Sequence, residues 1–125
     1  MTHRGPDPEE SPAGLREDLV VSVCAREGAL VVAAAGTVDL RTAPRLSDAV
    51  ARGAAQRPVK LVVDLTEVEF LASAGLHVLL DARRAVGEHT RLRVVATGAA
   101  LRTITLTALD EVLAVYPTVA DATGS

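Results

Sequence analysis

The most constraining stretch of the sequence is Leu61-Val62-Val63-Asp64-Leu65, whose apolar residues do not alternate with polar ones. A strand of this kind needs cover on both faces, as in the centre of a parallel or mixed sheet. Pro58 interrupts the chain just before it, so we expect the strand over residues 59–65. Parallel neighbours require crossover connections, which are usually helices. The stretch therefore predicts an α/β domain with this strand at its centre.

The first third of the chain predicts an antiparallel hairpin at one edge of the sheet. Two valine-rich segments, residues 19–25 and 29–35, are separated by the turn sequence Arg26-Glu27-Gly28. Residues 1–17 carry three prolines and no apolar period, which is typical of a flexible tail. The prediction is a single domain over 18–122 with a mixed four- to five-stranded sheet and helices packed on it.

Two helices are predicted beside the central strand. The first covers about 43–55, with Thr42 as its N-cap, and the second begins at Ser73 after a short acidic loop and runs to about Val86. In the second helix the expected buried positions are Gly75, Val78, Leu79, Ala82 and Val86, and the expected exposed positions are Ser73, His77, Asp81, Arg84 and Glu88.

The last third of the chain continues the alternation of strands and helices. We expect a strand at 92–96, a helix at about 99–108 and a short edge strand within 112–115. Leu101, Ile104 and Ala108 are expected to face inward, and Thr118 to cap a final short helix.

Composition excludes several classes of function. With 125 residues, 49% hydrophobic, the chain is long enough for one domain with a sizeable core. A net charge of −3 and only two aromatic residues, Phe70 and Tyr116, argue against binding nucleic acid. The single cysteine, Cys24, lies in an apolar segment and is interpreted as a buried residue in a reducing compartment. No apolar run reaches membrane-spanning length, so a soluble cytoplasmic protein is expected.

Motifs of enzymes and cofactor sites do not fit the chain. A nucleophile elbow around Ser73 would need glycine at the position of Leu71. Glycine clusters for nucleotide phosphates and a ligand set for zinc are missing from the sequence. For a receiver phosphorylated at Asp64, Asp39 could supply one further acid, but the usual acidic pair is missing and Lys60 is expected on the far side of the sheet. Asp64 is therefore interpreted as a turn or loop residue. We expect neither catalysis nor a cofactor.

Ser73 is the position with the most distinctive chemistry. A hydroxyl at the start of a helix lies among backbone N–H groups that lack intrahelical partners, where the helix dipole favours negative charge. The residue could serve simply as a helix cap. A phosphate there would add about −1.5 to −2 charges that the fold tolerates but a partner packed against it does not.

Several motifs together resemble one family. They are Gly36-Thr37-Val38-Asp39, Thr42-Ala43-Pro44, Val62-Val63-Asp64-Leu65 and Phe70-Leu71-Ala72-Ser73-Ala74-Gly75-Leu76. In order and spacing they are similar to the STAS domains of bacterial anti-sigma factor antagonists, over roughly residues 19–122. The resemblance implies a non-enzymatic regulator that binds an anti-sigma factor serine kinase and frees a sigma factor. Phosphorylation of the serine would end the interaction, and a phosphatase would restore it.

The resemblance also implies roles for individual residues. Ser73 would be the phosphoacceptor, Asp39 an acidic residue that docks the partner or aligns the hydroxyl, and Gly75 a glycine that permits close approach. The implied partner surface comprises Asp39, Thr42, Ala72, Ser73, Ala74, Gly75 and His77, although capping alone accounts for Thr42. At Ala72 the family usually has aspartate, which leaves open an antagonist that stays unphosphorylated.

One alternative function remains at this point. A STAS module can also act as a sensor or scaffold that binds a small ligand or other STAS proteins without phosphorylation. The sequence identifies neither the anti-sigma factor nor the sigma factor. Nothing in it requires more than a monomer.

Overall fold

A computed structural model describes residues 18–26 and 28–124. The predicted tail and Glu27 of the predicted turn lie outside this part of the chain. In chain order the elements are β1 (Leu19–Arg26), β2 (Ala29–Val38), α1 (Ala43–Ala55), β3 (Lys60–Leu71), α2 (Ser73–Ala85), β4 (Arg91–Val95), α3 (Gly98–Leu106), a 3-10 turn (Leu109–Glu111), β5 (Val115–Tyr116) and α4 (Val119–Gly124).

The five strands form one mixed sheet in the order β1-β2-β3-β4-β5. β1 pairs antiparallel with β2, and every other neighbouring pair is parallel. The predicted mixed sheet with an antiparallel edge is confirmed. Leu61, Val62 and Val63 are fully buried at the centre of the sheet, as the absence of alternation predicted.

Helices cover the two faces of the sheet unequally. Three parallel crossovers that advance in the same direction place their helices on one face, because such connections are right-handed. Residues of α1, α2 and α3 accordingly share one core cluster with alternate residues of β1–β4. The short helix α4 covers part of the opposite face, where Ala122 packs with Val62 and Val95.

The interpretation of Cys24 as a core residue is wrong, since this cysteine is exposed. Leu19 belongs to the core beneath the helices, so alternation turns Val20 and Cys24 toward the opposite face. β1 is an edge strand, and α4 packs mainly on β3, β4 and β5. The apolar character of this strand therefore does not report burial of the cysteine.

The predicted acidic loop before the second helix is also wrong. β3 continues through Thr66 to Leu71 and pairs with β2, whereas β4 pairs only with residues 60–64 of β3. The extension is thus a two-stranded ribbon with register shifts at Ala33/Ala35 and Gly36/Thr37. Polar residues appear in it because only part of its surface is covered, and this made it resemble a loop.

Near the C-terminus the inward position of Ile104 is confirmed, but the inward positions predicted for Leu101 and Ala108 are wrong. Ala100 and Ile104 of α3 are the buried residues, whereas Leu101 is 38% exposed and Ala108 lies beyond the helix in a left-handed conformation. The edge strand is at residues 115–116 rather than within 112–115. The cap of α4 is confirmed, because the backbone N–H of Asp121 donates to Thr118 Oγ1 at 3.0 Å.

Candidate functional site

The β2–β3 ribbon brings the starts of α1 and α2 together. Val38 and Leu71 are paired as the last residues of their strands, and the N–H of Ala72 donates to the Val38 carbonyl at 2.8 Å. Asp39 follows Val38, and Ser73 follows Ala72. Both predicted polar residues therefore lie at the same end of the sheet, at the carboxyl ends of two parallel strands.

The start of α1 is held by a dense set of hydrogen bonds around Asp39. Its Oδ1 accepts from the backbone N–H groups of Arg41 and Thr42, each at 3.0 Å. The Thr42 hydroxyl accepts from the Asp39 N–H at 3.0 Å and donates to the Thr37 carbonyl at 2.7 Å. These bonds fix the loop that joins β2 to α1.

Thr42 is fully buried, so the expectation that it contacts a partner is wrong. It occupies the N-cap position of α1, as predicted, but its side chain makes no capping hydrogen bond to the helix. The hydroxyl is instead engaged by Thr37 and Asp39. A buried hydroxyl with two such bonds stabilises the loop rather than presenting a contact to solvent.

Asp39 is kept ionised by its surroundings. Partial burial raises the pKa of this carboxyl, but the hydrogen bonds from Thr42, the charge of Arg41 and the Arg41 backbone N–H outweigh it, so the pKa lies below its ordinary value. Arg41 Nη2 lies 3.9 Å from Asp39 Oδ2. The loop therefore carries a negative charge that Arg41 offsets in part and that remains partly exposed to solvent.

A second ion-pair group ties the start of β1 to the same region. Arg45 Nη1 lies 2.6 Å from Asp18 Oδ1 and donates to the Leu19 carbonyl at 2.7 Å, and Arg41 Nη1 is 3.9 Å from Asp18 Oδ1. The Leu19 backbone N–H and Arg45 lower the pKa of Asp18. Arg45 thus ties the first turn of α1 to the start of β1.

The start of α2 is built differently. Ala72 occupies the N-cap position in an extended conformation, φ −87° and ψ 173°, and a methyl side chain offers no capping acceptor. Ser73 is the first residue inside the helix and is exposed. The interpretation of Ser73 as the helix cap is therefore wrong, and its hydroxyl has no role at the N-cap position.

Gly75 lies on the inner side of α2, not on the outer surface. A Cβ atom at this position would meet Leu71 Cδ1 and lie 2.7 Å from Val38 Cγ1. The glycine therefore permits α2 to approach the sheet closely. The role in the approach of a partner that the resemblance implies for it stays a prediction. Its membership of the buried side of α2 is confirmed.

With Thr42 and Gly75 buried, the outer surface around Ser73 is formed by the other residues of the predicted partner surface. Ala72 and Ala74 are half-buried, and Ser73 and His77 are exposed. Two apolar side chains that the sequence did not assign to the site lie close by in the chain, Leu40 at 83% exposed and Phe70 at 49%. A leucine between Asp39 and Arg41, outside any apolar period, was the available signal for the first of them.

Within residues 18–26 and 28–124, no helix has the length and apolar character needed to cross a membrane. In the same part of the chain, no group of three or more His, Cys, Asp or Glu side chains comes together as a metal site.

Comparison with known proteins gives consistent results. The family model of the STAS domain matches residues 21–122. The anti-sigma-F factor antagonist RsfB of Mycobacterium tuberculosis is 36% identical over 107 residues, covering 85% of this chain and 88% of the relative. The crystal structure of an anti-sigma factor antagonist from Mycobacterium paratuberculosis superposes with a TM-score of 0.82 at 40% identity, covering 85% of this chain and 92% of that one. SpoIIAA of Bacillus in its phosphorylated form, at 12% identity and a TM-score of 0.60, covering 82% of this chain and 96% of that one, shows the shared fold alone.

Proposed function

This chain belongs to the STAS domain family, and we propose that it acts as an anti-sigma factor antagonist that is switched by phosphorylation of Ser73. In this proposal it binds an anti-sigma factor with serine kinase activity and so frees a sigma factor. The similarity to two antagonists, at 36% and 40% identity over 85% of the chain, supports the first part. The protein itself has no catalytic role and acts in the cytoplasm, where transcription takes place.

One observation carries the assignment of the switch: Ser73 is exposed at the first position of α2, beside the loop that bears Asp39. A kinase can reach a hydroxyl in this position without unfolding the domain. The surrounding Asp39, Ala72, Ala74 and His77 form the adjoining surface that the partner would contact. The buried Thr42 and Gly75 support this surface from within.

The physical effect of a phosphate on Ser73 differs between the domain and its complex. The phosphate would add about −1.5 to −2 charges at a helix N-terminus, where unpartnered N–H groups and the dipole favour an anion. A partner packed against Ser73 would have to bury or repel this charge. A buried charge that is left without an opposite charge costs about 3–5 kcal/mol of free energy. The affinity would therefore fall by orders of magnitude while the fold stays intact, and a phosphatase would reverse the change.

The test combines phosphorylation with binding. Each anti-sigma factor kinase of the source organism is incubated with the protein and ATP, and the modified residue is mapped by mass spectrometry. Affinity is then measured for wild type, Ser73→Asp and the control Ser22→Asp, which adds the same charge at an exposed residue of β1. We expect phosphate on Ser73 and a loss of binding only in Ser73→Asp. Phosphate at other residues alone, or equal binding by all three proteins, would contradict the switch.

A further inference from the structure

Resting on the proposed function, we propose that the groove between α1 and α2 binds a basic amphipathic helix of the anti-sigma factor. The part of the groove nearest Ser73 has a volume of about 400 Å³. Its apolar walls include Pro44 and Ala43 from α1 and Ala74 and Val78 from α2. On α2 the groove therefore begins at Ala74, the residue that follows Ser73.

The groove continues along both helices. A second section of about 90 Å³ shares Ser47, Val78 and Asp81 with the first. Its remaining walls are small residues, Ala51 and Ala54 of α1 and Ala82 and Ala85 of α2 among them. Each helix has 13 residues, so the groove is about 20 Å long at 1.5 Å per residue. A shallow groove of this length matches three to four turns of a helix, which docks through one apolar face.

The charges along the groove define what this helix must carry. Asp48 of α1 and Asp81 of α2 both line it, and its lining includes no lysine or arginine among the residues that the structure describes. Arg84 Nη1 lies 3.3 Å from Asp81 Oδ1, but both side chains are 73% exposed, so this ion pair is weak. Lysine or arginine residues on the docked helix would meet two carboxylates from opposite walls.

Leu40 marks the end of the groove near the switch. It lines the larger section and is 83% exposed. A helix docked in the groove would cover this side chain, so Leu40 is the apolar contact that the groove offers beside Asp39. The expected occupant therefore has an apolar residue at one end and basic residues further along, and phosphate on Ser73 would lie close to its apolar end.

The first arm of the test uses charge reversal. The double variant Asp48→Lys/Asp81→Lys is compared with Asp110→Lys/Glu111→Lys, which makes the same change in net charge at exposed residues of the 3-10 turn. Against the anti-sigma factor that binds wild type, we expect the groove variant to lose about tenfold or more in affinity, and the control to stay within about twofold. Equal losses in both variants would overturn the groove while leaving the proposed function intact.

A second pair of variants tests the apolar anchor. Leu40→Ser is compared with Leu106→Ser, since Leu106 is 80% exposed at the end of α3 and does not line the groove. We expect about a tenfold loss for Leu40→Ser and almost none for Leu106→Ser. Circular dichroism would establish that each variant is folded. No difference between the two leucines would count against the groove.

The third arm needs no anti-sigma factor. A synthetic helical peptide of about 14 residues, with alanine and leucine on one face and arginine on the other, is titrated into the isotope-labelled protein and followed by NMR. We expect shifts at Ser47, Ala51, Val78 and Ala82, and none with a peptide that carries glutamate in place of arginine. If no anti-sigma factor binds wild type, the proposed function fails and this arm alone decides on the groove. Shifts on the other face of the sheet, equal effects of both peptides, or self-association through α1 and α2 would overturn the proposal.

Discussion

The starts of α1 and α2 lie at the same end of the sheet but are built in opposite ways. At α1, the carboxylate of Asp39 and the buried hydroxyl of Thr42 satisfy the loop's backbone groups. At α2, an alanine occupies the N-cap position and the serine that follows it is exposed. The polar side chains at α1 maintain the structure, whereas the hydroxyl at α2 has no equivalent structural role. Because the Ser73 side chain does not hold the loop or the helix in place, a change in its charge should leave the fold intact.

The largest expected effect on the free energy of unfolding comes from a substitution at the start of α2, on the side that packs against the sheet. Gly75→Ala places a methyl group against Leu71 and the branched side chain of Val38. We expect a loss of about 1–3 kcal/mol in the free energy of unfolding, measured by urea denaturation, because a packed core resists added volume. Gly87→Ala is the control, since nothing lies within 4 Å of a Cβ there. A Gly75→Ala variant as stable as wild type would show that the inner side is not tightly packed.

An effect of similar size is expected from a direct comparison of the two hydroxyls. Thr42→Val keeps the shape of the side chain but removes the hydroxyl that accepts from the Asp39 N–H and donates to the Thr37 carbonyl. We expect it to lower the free energy of unfolding by about 1–3 kcal/mol, and the matched variant Ser73→Ala to change it by less than about 0.5 kcal/mol. Equal effects of the two substitutions would remove the contrast between the helix starts.

Ala72 offers a way to make the two helix starts more alike. Its extended conformation is that of an N-cap, so Ala72→Asp would supply the missing acceptor. We expect a gain of about 1 kcal/mol in the free energy of unfolding, from the cap together with the helix dipole. Ala72→Asn, a cap without the charge, separates the two contributions. If both variants are neutral or destabilising, the first backbone N–H groups of α2 do not gain from an added acceptor.

The smallest expected effect is the pH dependence due to Asp39. Because its pKa is lowered in the folded protein, the carboxylate contributes stability above its unfolded pKa of about 3.9, and this is lost as pH falls through the folded pKa. Asp39→Asn keeps an oxygen acceptor for the loop but cannot titrate. We expect its free energy of unfolding to fall less than that of wild type below about pH 4. Parallel acid unfolding curves for the two proteins would contradict a lowered pKa of Asp39 in the folded protein.

The sequence predicted correctly those elements in which the positions of the apolar residues follow directly from which side of the element is buried. Leu61, Val62 and Val63 identified the central strand, and α1 begins and ends where its spacing indicated. The extension of β3 to Leu71 was missed because a two-stranded ribbon is covered only in part and admits polar residues. Cys24 was misplaced because an apolar edge strand does not show which of its faces is covered.

The candidate site was predictable in outline but not in its contacts. The exposed row of α2 follows from its helical period, so the outward position of Ser73 and His77 was predictable. The period cannot show where a hydroxyl points, and the Thr42 side chain turns back to Thr37 and Asp39 rather than to the helix. Likewise, a glycine at position 75 indicates that another group lies close to the α2 backbone. The sequence does not show that this group is the sheet, through Leu71 and Val38.

The most direct test of the switch is a comparison of the phosphoserine-73 protein with the unmodified protein. Chemical denaturation measures stability, and calorimetry measures affinity for the cognate anti-sigma factor. We predict a free energy of unfolding within about 0.5 kcal/mol of the unmodified protein and an affinity at least about 100-fold weaker, the equivalent of about 3 kcal/mol. Unchanged affinity, or a loss of affinity that follows a loss of stability, would contradict a switch that acts at the interface.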